Sequence, residues 1–137
     1  MEAESRVREA NERFYRALDS LDLRAMESLW AHDRFVRCVH PGWGTLVGWD
    51  AVRGSWEGIF LNTGAHRVEA AEVVVHVVGE LGWVSCVERI TVRARTDLVV
   101  ATNLFQAFPD GWRMILHHAS LLPGLDLDEM GTADVVH

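Results

Sequence analysis

The sequence predicts a single α+β domain: three N-terminal helices packed in a strongly curved antiparallel sheet that forms a cone with an internal pocket. Apolar residues recur at helical spacing within the first 62 residues, and alternating strand patterns fill the chain from residue 66 onward. The turns between those strands are short, and hairpin-length turns make neighbouring strands antiparallel. Strands of such length must twist and bend, so the sheet is expected to curl around the helices.

The three predicted helices are recognised by an apolar stripe and by residues suited to helix ends. The first covers about residues 4–18, and its inward stripe consists of Val7, Ala10, Phe14, Ala17 and Leu18. The second follows Asp22, which can cap it, and runs to about Trp30. The third covers about residues 50–62, with Asp50 as its N-cap.

A short strand at about residues 35–39 is expected to end at Pro41-Gly42, and Leu46-Val47 can form its hairpin return. Four long strands are predicted at about residues 66–78, 82–96, 98–108 and 111–121. Residues 1–122 are predicted to form the domain, and residues 123–137 to form an acidic C-terminal tail.

Composition narrows the possible functions. The net charge is −7, which argues against a nucleic-acid partner. All 13 basic residues are Arg, so Schiff-base and P-loop lysine chemistry are excluded. This bias is typical of a GC-rich bacterial genome. No signal sequence and no apolar run of the roughly 20 residues that span a bilayer is recognised, so a cytoplasmic protein without a membrane partner is expected.

His40 is the leading candidate for chemistry, because it stands where an apolar strand breaks at Pro41. Cys38 should share its strand face, and Trp43 follows as a possible pocket wall. A histidine with an ordinary pKa of about 6.5 can exchange a proton near neutrality. The alternative is that His40 only caps backbone carbonyl groups at the end of the strand.

Several stretches together resemble one known superfamily. They are His40-Pro41-Gly42-Trp43, Gly48-Trp49-Asp50-Ala51-Val52 with Ser55-Trp56, Ala101-Thr102-Asn103-Leu104-Phe105, and Gly111-Trp112-Arg113 through His117-His118-Ala119-Ser120. With the element order, they resemble the nuclear transport factor 2-like (NTF2-like) superfamily. The chain looks most similar to its SnoaL-like and DUF4440-type members, which are related to ketosteroid isomerases.

The resemblance implies three catalytic candidates: His40, Asn103 and His118. His40 stands where similar enzymes place an aspartate base, and Asn103 where they place a protonated aspartic acid. The resemblance also places Leu116 and His118 inward and His117 on the outer face. Asn103 could donate a hydrogen bond to a developing oxyanion, or it could be a satisfied polar group in the sheet.

A further set of residues is predicted to bind substrate in the pocket: Tyr15, Cys38, Trp43, Trp56, Glu88, Phe105 and Leu116. Tyr15 is the only tyrosine and the candidate for the superfamily's oxyanion donor. The pattern does not decide which sheet face Glu88 occupies. A metal site from His40, His118 and Cys38 or Glu88 is conceivable, but no short ligand motif supports it, so neither a metal nor a cofactor is expected.

Three function classes follow. The first is a cofactor-independent isomerase, cyclase or hydrolase that uses His40 as general acid/base on an apolar substrate. The second is a non-catalytic binder of an apolar ligand, and the third is an association module. In each case a homodimer through the outer sheet face is expected, since strands such as Val73-Val74-Val75 and Val99-Val100 cannot bury both faces in a small monomer.

Overall fold

The computed structural model describes residues 2–123 and shows three helices. They are α1 (Glu2–Ser20), α2 (Leu23–Leu29) and α3 (Trp49–Asn62). The Asp22 side chain caps α2 by accepting a hydrogen bond from the Ala25 amide at 3.1 Å, as predicted. The N-cap of α3 is Gly48 rather than Asp50, which lies in the first turn. Gly48 has a φ of 91°, a conformation that disfavours a side chain and that the Asp-based prediction overlooked.

Six strands form one curved sheet in the order β2-β1-β6-β5-β4-β3. They are β1 (Arg37–Val39), β2 (Leu46–Val47), β3 (Arg67–Val78), β4 (Leu81–Val92), β5 (Arg95–Phe108) and β6 (Gly111–Leu122). The predicted α+β architecture with a long antiparallel meander is confirmed. The β4–β5 turn lies at Arg93-Ala94, with Arg93 at a φ of 58°, and not near Thr96-Asp97 as predicted. The predicted tail beyond residue 123 lies outside the described residues.

The sheet contains one parallel pairing that the hairpin argument did not predict. The short strand β1 lies parallel to β6, with Cys38 opposite His117 and Val39 opposite His118. A parallel pair joins residues far apart in sequence, so no local turn signals it. The pairing brings the end of β1, and therefore His40, beside the second half of β6.

A bulge in β6 changes which of its residues face the core. Leu104 of β5 pairs with Leu116, but the next residue, Phe105, pairs with Met114, so Ile115 is an extra residue in β6. Because side chains alternate between faces, one extra residue reverses the alternation beyond it. Met114 is therefore buried before the bulge, whereas His117 and Ala119 are buried after it.

The core lies between α1 and the inner face of the sheet. The predicted stripe of α1 is buried, with Val7 and Phe14 completely so. The helix approaches β4 closely at Gly82, where an added Cβ would lie 2.6 and 2.8 Å from the two methyl groups of Val7. Gly82 therefore sets the distance between helix and sheet.

We expect Gly82→Ala to destabilise the fold by about 1–3 kcal/mol, because the stiff Val7 side chain must move to accept the new methyl group. Gly54→Ala is the matched control, since a Cβ there meets nothing within 4 Å on helix α3. The control should stabilise by about 0.5–1 kcal/mol. Urea unfolding of both variants measures these changes in the free energy of unfolding. The double variant G82A/V7A, which lacks the Val7 methyl groups, is measured with them. Equal stabilities for G82A and wild type would refute the close approach.

Candidate functional site

A cavity of about 360 Å³ lies between α3, the end of β1 and the inner face of the sheet. Most of its lining is apolar, including Trp43, Trp56, Ile59 and Ile90. Its titratable lining residues are His40, His66, Glu88 and His117. A volume above 300 Å³ with an apolar wall and a few convergent polar groups is typical of a small-molecule site.

Behind the cavity wall, the Tyr15 hydroxyl group connects a buried polar network. It donates a hydrogen bond to Glu88 Oε2 at 2.7 Å and accepts one from Asn103 Nδ2 at 3.0 Å. Since its only proton is directed to Glu88, the Cys86 thiol at 3.2 Å is the donor in the third contact. The phenol is thus fully satisfied, and it holds the Glu88 carboxyl group in one orientation.

The Asn103 amide fixes the tautomer of His117. Its Nδ2 donates to Asn11 Oδ1 at 2.9 Å and to Tyr15, so its Oδ1 must accept from His117 Nδ1, which lies 2.6 Å away. Neutral His117 therefore carries its proton on Nδ1 and has a lone pair on Nε2. The His117 Nε2 atom lies 3.8 Å from Glu88 Oε2.

Glu88 and His117 form a potential ion pair, yet both side chains are mostly neutral between about pH 3 and about pH 7. Burial raises the pKa of Glu88 to about 7, and the Tyr15 hydrogen bond opposes this only in part. Burial lowers the pKa of His117 to about 3, and the nearby His40 and His118 lower it further. Desolvation outweighs the mutual attraction here because each side chain is only 2% exposed. Only Glu88 of this pair can exchange a proton readily near neutrality.

His40 lies across the same cavity and is held by Ser55. The Ser55 hydroxyl donates to the Val52 carbonyl at 2.7 Å, so it accepts from His40 Nε2 at 2.8 Å. The imidazole meets the Trp43 and Trp56 rings edge to face, at centroid distances of 4.8 and 4.6 Å. Burial lowers the pKa of His40 to about 4, so the ring is neutral and its lone pair lies on Nδ1.

The structure brings four of the predicted site residues to the cavity wall: His40, Trp43, Trp56 and Glu88. Glu88 faces inward, which settles the question that the strand pattern left open. A second group is buried but lies outside the cavity lining: Tyr15, Cys38, Asn103 and Phe105.

The inward placement predicted for His118 and Leu116 is wrong. His118 is exposed, and Leu116 pairs with the outward residue Leu104. Unbroken alternation from Trp112 would turn both inward, but the extra residue Ile115 reverses the order and puts His117 inside instead. The three proposed catalytic residues therefore do not meet, because only His40 lines the cavity.

Four polar residues of the site escaped the sequence reasoning: Asn11, Ser55, His66 and His117. Asn11 is 1% exposed and lies four residues after Val7, so its place on the buried stripe of α1 was a usable signal. Ser55 carried no such signal, because its partner His40 is 15 residues away.

The two cysteines do not supply a nucleophile. Burial raises the pKa of the Cys38 thiol well above its ordinary value and that of Cys86 to about 11, so both are protonated at neutral pH. Among residues 2–123, no group of three or more His, Cys, Asp or Glu side chains is placed to hold a metal ion. Within the same residues, no helix has the length and apolar character needed to cross a membrane.

Helices α1 to α3 enclosed in a curved sheet, with titratable groups in an apolar cavity, define an NTF2-like protein. The chain belongs to the SnoaL-like domain family, whose model matches residues 7–123.

Two solved structures and one curated protein are similar to this chain. A candidate dehydratase of the NTF2-like family from Streptomyces avermitilis is 37% identical, with a TM-score of 0.81, over 87% of this chain and 95% of that one. A candidate calcium/calmodulin-dependent protein kinase type II association domain from Thiobacillus denitrificans is 33% identical, with a TM-score of 0.77, over 82% of this chain and 92% of that one. The F-box protein SKIP8 from Arabidopsis thaliana is 25% identical over 82% of this chain, which spans 48% of that protein's length.

The raised pKa of Glu88 predicts that the difference in the free energy of unfolding between wild type and Glu88→Gln depends on pH. A carboxyl group whose pKa is raised from 4.5 to about 7 by folding contributes stability below pH 4.5 that is lost as pH rises through 7. Glutamine does not titrate, and its oxygen can still accept from Tyr15. As the pH rises from 4.5 to 7.5, the free energy of unfolding of the variant should therefore increase by on the order of 3 kcal/mol relative to that of wild type.

Denaturant unfolding at each pH measures this difference. The contributions of His40 and His117 to the pH dependence cancel, because both proteins contain these histidines. Glu69→Gln, on the exposed face of β3, is the control for replacing a carboxyl group that is not buried. A pH-independent difference between Glu88→Gln and wild type would mean that Glu88 keeps an ordinary pKa.

Proposed function

We propose that the protein is a cofactor-independent acid–base enzyme that acts on an apolar small molecule in the cavity, with Glu88 as the group that transfers the proton. The observation that carries this proposal is the buried Glu88 carboxyl group, oriented by Tyr15 and with a pKa near 7, in the wall of a 360 Å³ apolar cavity. Acid–base catalysis is most effective when the pKa of the group lies near the working pH.

Glu88 is a better proton carrier than His40, the residue favoured by the sequence. With a pKa of about 4, His40 is protonated in about one molecule in a thousand at pH 7, whereas Glu88 is divided about equally between its two forms. His40 supports the reaction differently. Its Nδ1 lone pair, which the Cys38 thiol approaches only to 3.9 Å, accepts a hydrogen bond from a substrate hydroxyl group, while Ser55 fixes the ring.

Dehydration of a β-hydroxy ketone is the reaction that this arrangement fits best. The Glu88 carboxylate removes the proton on the carbon next to the carbonyl group, and the electron pair of that C–H bond forms the new C=C bond as the C–O bond breaks. The carboxylic acid then returns its proton to the departing hydroxyl group. The products are an enone and water, and Glu88 ends in its starting form. The similarity to a candidate dehydratase supports this choice.

The test is turnover of a panel of apolar β-hydroxy ketones, followed by the absorbance of the enone. Glu88→Gln should lower kcat/KM by about 10²–10⁴-fold, the usual contribution of an acid–base group. His40→Phe, which keeps an aromatic ring but has no hydrogen-bond acceptor, should cost about tenfold, equivalent to one hydrogen bond. In wild type, kcat/KM should rise with pH through about 7, because the carboxylate is the reactive form of the free enzyme.

Glu69→Gln and His118→Phe are the matched controls, since each places the same change on an exposed part of the sheet. Both should keep the wild-type rate. Full activity of Glu88→Gln together with complete loss in His40→Phe would return the proton-transfer role to His40 and contradict the assignment to Glu88.

A second proposed role is self-association through the outer sheet face. The outward residues Val74, Val78 and Trp83 are 63%, 60% and 53% exposed on adjacent strands, and exposed apolar groups in such a cluster favour an interface. The similarity to a candidate association domain supports self-association of this fold. A homodimer is compatible with the cavity, because the cavity opens on the other side of the sheet.

Trp83→Arg should convert the dimer into a monomer, because a charged side chain would be buried without a partner at the interface. Leu61→Arg is the control: Leu61 is 80% exposed but lies on α3, away from the outer sheet face. Light scattering at micromolar concentration measures the mass. A monomeric wild type would count against the interface.

A further inference from the structure

The lone pair on His117 Nε2 has no donor in the part of the chain that the structure describes. The ring donates its Nδ1 proton to Asn103, and Glu88 Oε2 lies 3.8 Å from Nε2, too far for a hydrogen bond. In the same part of the chain, the Trp30 and Trp56 indole nitrogens are the only polar side-chain atoms that lack both accessible surface and a partner. His117 Nε2 is therefore accessible. Because the residue is 2% exposed and lines the cavity, this atom opens into the cavity.

Glu88 presents a second free acceptor to the cavity. Tyr15 donates to Oε2, whereas Oε1 has no hydrogen-bond partner within the described residues and is not one of the atoms without accessible surface. The Glu88 side chain is also 2% exposed and lines the cavity, so the same reasoning places Oε1 at the cavity surface. Oε1 is thus the oxygen of the carboxyl group that a bound molecule meets.

The other polar side chains of this wall also direct their protons into the protein. His40 Nε2 donates to Ser55, and His66 Nε2 lies 3.0 Å from the Leu18 carbonyl, which can only accept. In the neutral form of each ring, the lone pair therefore lies on Nδ1. The Thr63 hydroxyl donates to a carbonyl group of α3 at 2.6 Å. The imidazole, carboxylate and hydroxyl groups of the wall thus offer lone pairs to a ligand.

We propose that the substrate carries a second hydroxyl group besides the one that leaves, and that His117 Nε2 accepts the hydrogen bond of this second hydroxyl group. The ring centroids of His40 and His117 lie 6.4 Å apart, so one small molecule can reach both. A ligand group that displaces water from such a nitrogen must itself donate, or affinity is lost. The inference rests on the acid–base function proposed above and makes His117 a residue that determines substrate specificity.

The test compares the affinities of naphthalene ligands that have no hydroxyl group to eliminate. A cavity of about 150 Å³ holds one benzene molecule, so a volume of about 360 Å³ has room for two fused rings. At pH 8, wild type should bind 2-naphthol about tenfold more tightly than 2-methoxynaphthalene, which has the oxygen but no proton to donate. At least one isomer of naphthalenediol should bind about tenfold more tightly again, because its second hydroxyl group meets His117.

His117→Phe should abolish the second gain, because it removes the lone pair and keeps an aromatic ring. The first gain should persist, since His40 and Glu88 still offer acceptors. His118→Phe is the matched control: it makes the same change at the next position of β6, where the side chain is exposed, and should keep both gains.

The wild-type ¹⁵N spectrum decides the matter even if His117→Phe fails to fold. Contacts with Phe14, whose ring centroid lies 4.8 Å from that of His117, assign the resonance of the unprotonated Nε2. The tightest-binding diol should move this resonance upfield, as expected when an imidazole nitrogen accepts a hydrogen bond. 2-Methoxynaphthalene should leave it nearly unchanged, because this ligand cannot donate.

The outcomes separate the two proposals. Equal affinity for 2-naphthol and every diol, or a second gain that persists in His117→Phe, would overturn the role of His117 and leave the cavity a binding site. Failure of all these ligands to bind wild type would contradict the small-molecule function itself and this inference with it.

Discussion

The hydrogen bond from the Tyr15 hydroxyl to Glu88 is the interaction on which the site depends. At 2.7 Å it joins α1 to β4 in the buried interior, and the same oxygen accepts from Asn103 on β5. Because buried polar groups are expensive to leave unpaired, each partner fixes the next. Tyr15 orients the amide of Asn103, and that amide sets the tautomer of His117. Loss of the phenol group would leave Glu88 buried without its donor.

The fold separates the proton properties of three titratable groups that share one cavity. Burial acts on a carboxyl group and on an imidazole in opposite directions, because it disfavours the charged form of each. The pKa of Glu88 is therefore raised to about 7, while the pKa values of His40 and His117 are lowered. One environment thus produces a proton carrier on β4 and two neutral hydrogen-bonding rings on β1 and β6.

The sequence predicted the helices and the four long strands, because helical and alternating periodicity are local properties. The inward faces of Cys38 and Asn103 were implied by the family resemblance, and both side chains are buried. Prediction from the sequence failed where an irregularity interrupted the period. The bulge at Ile115 has no signature in the residues of β6, so His118 was placed inside and His117 outside. The parallel pairing of β1 joins segments about 80 residues apart, and no turn chemistry announces it. The choice between His40 and Glu88 required burial, which spacing alone does not supply.

The most direct test of this account is the pKa of Glu88, measured by carbon-13 NMR titration of the side-chain carboxyl groups, with Glu88→Gln used to assign the Glu88 resonance. The account predicts that the resonance titrates near pH 7, because the carboxyl group is desolvated in the cavity wall. Titration near 4.5, with Glu88 fully ionised at pH 6, would contradict the assignment of Glu88 as the proton carrier.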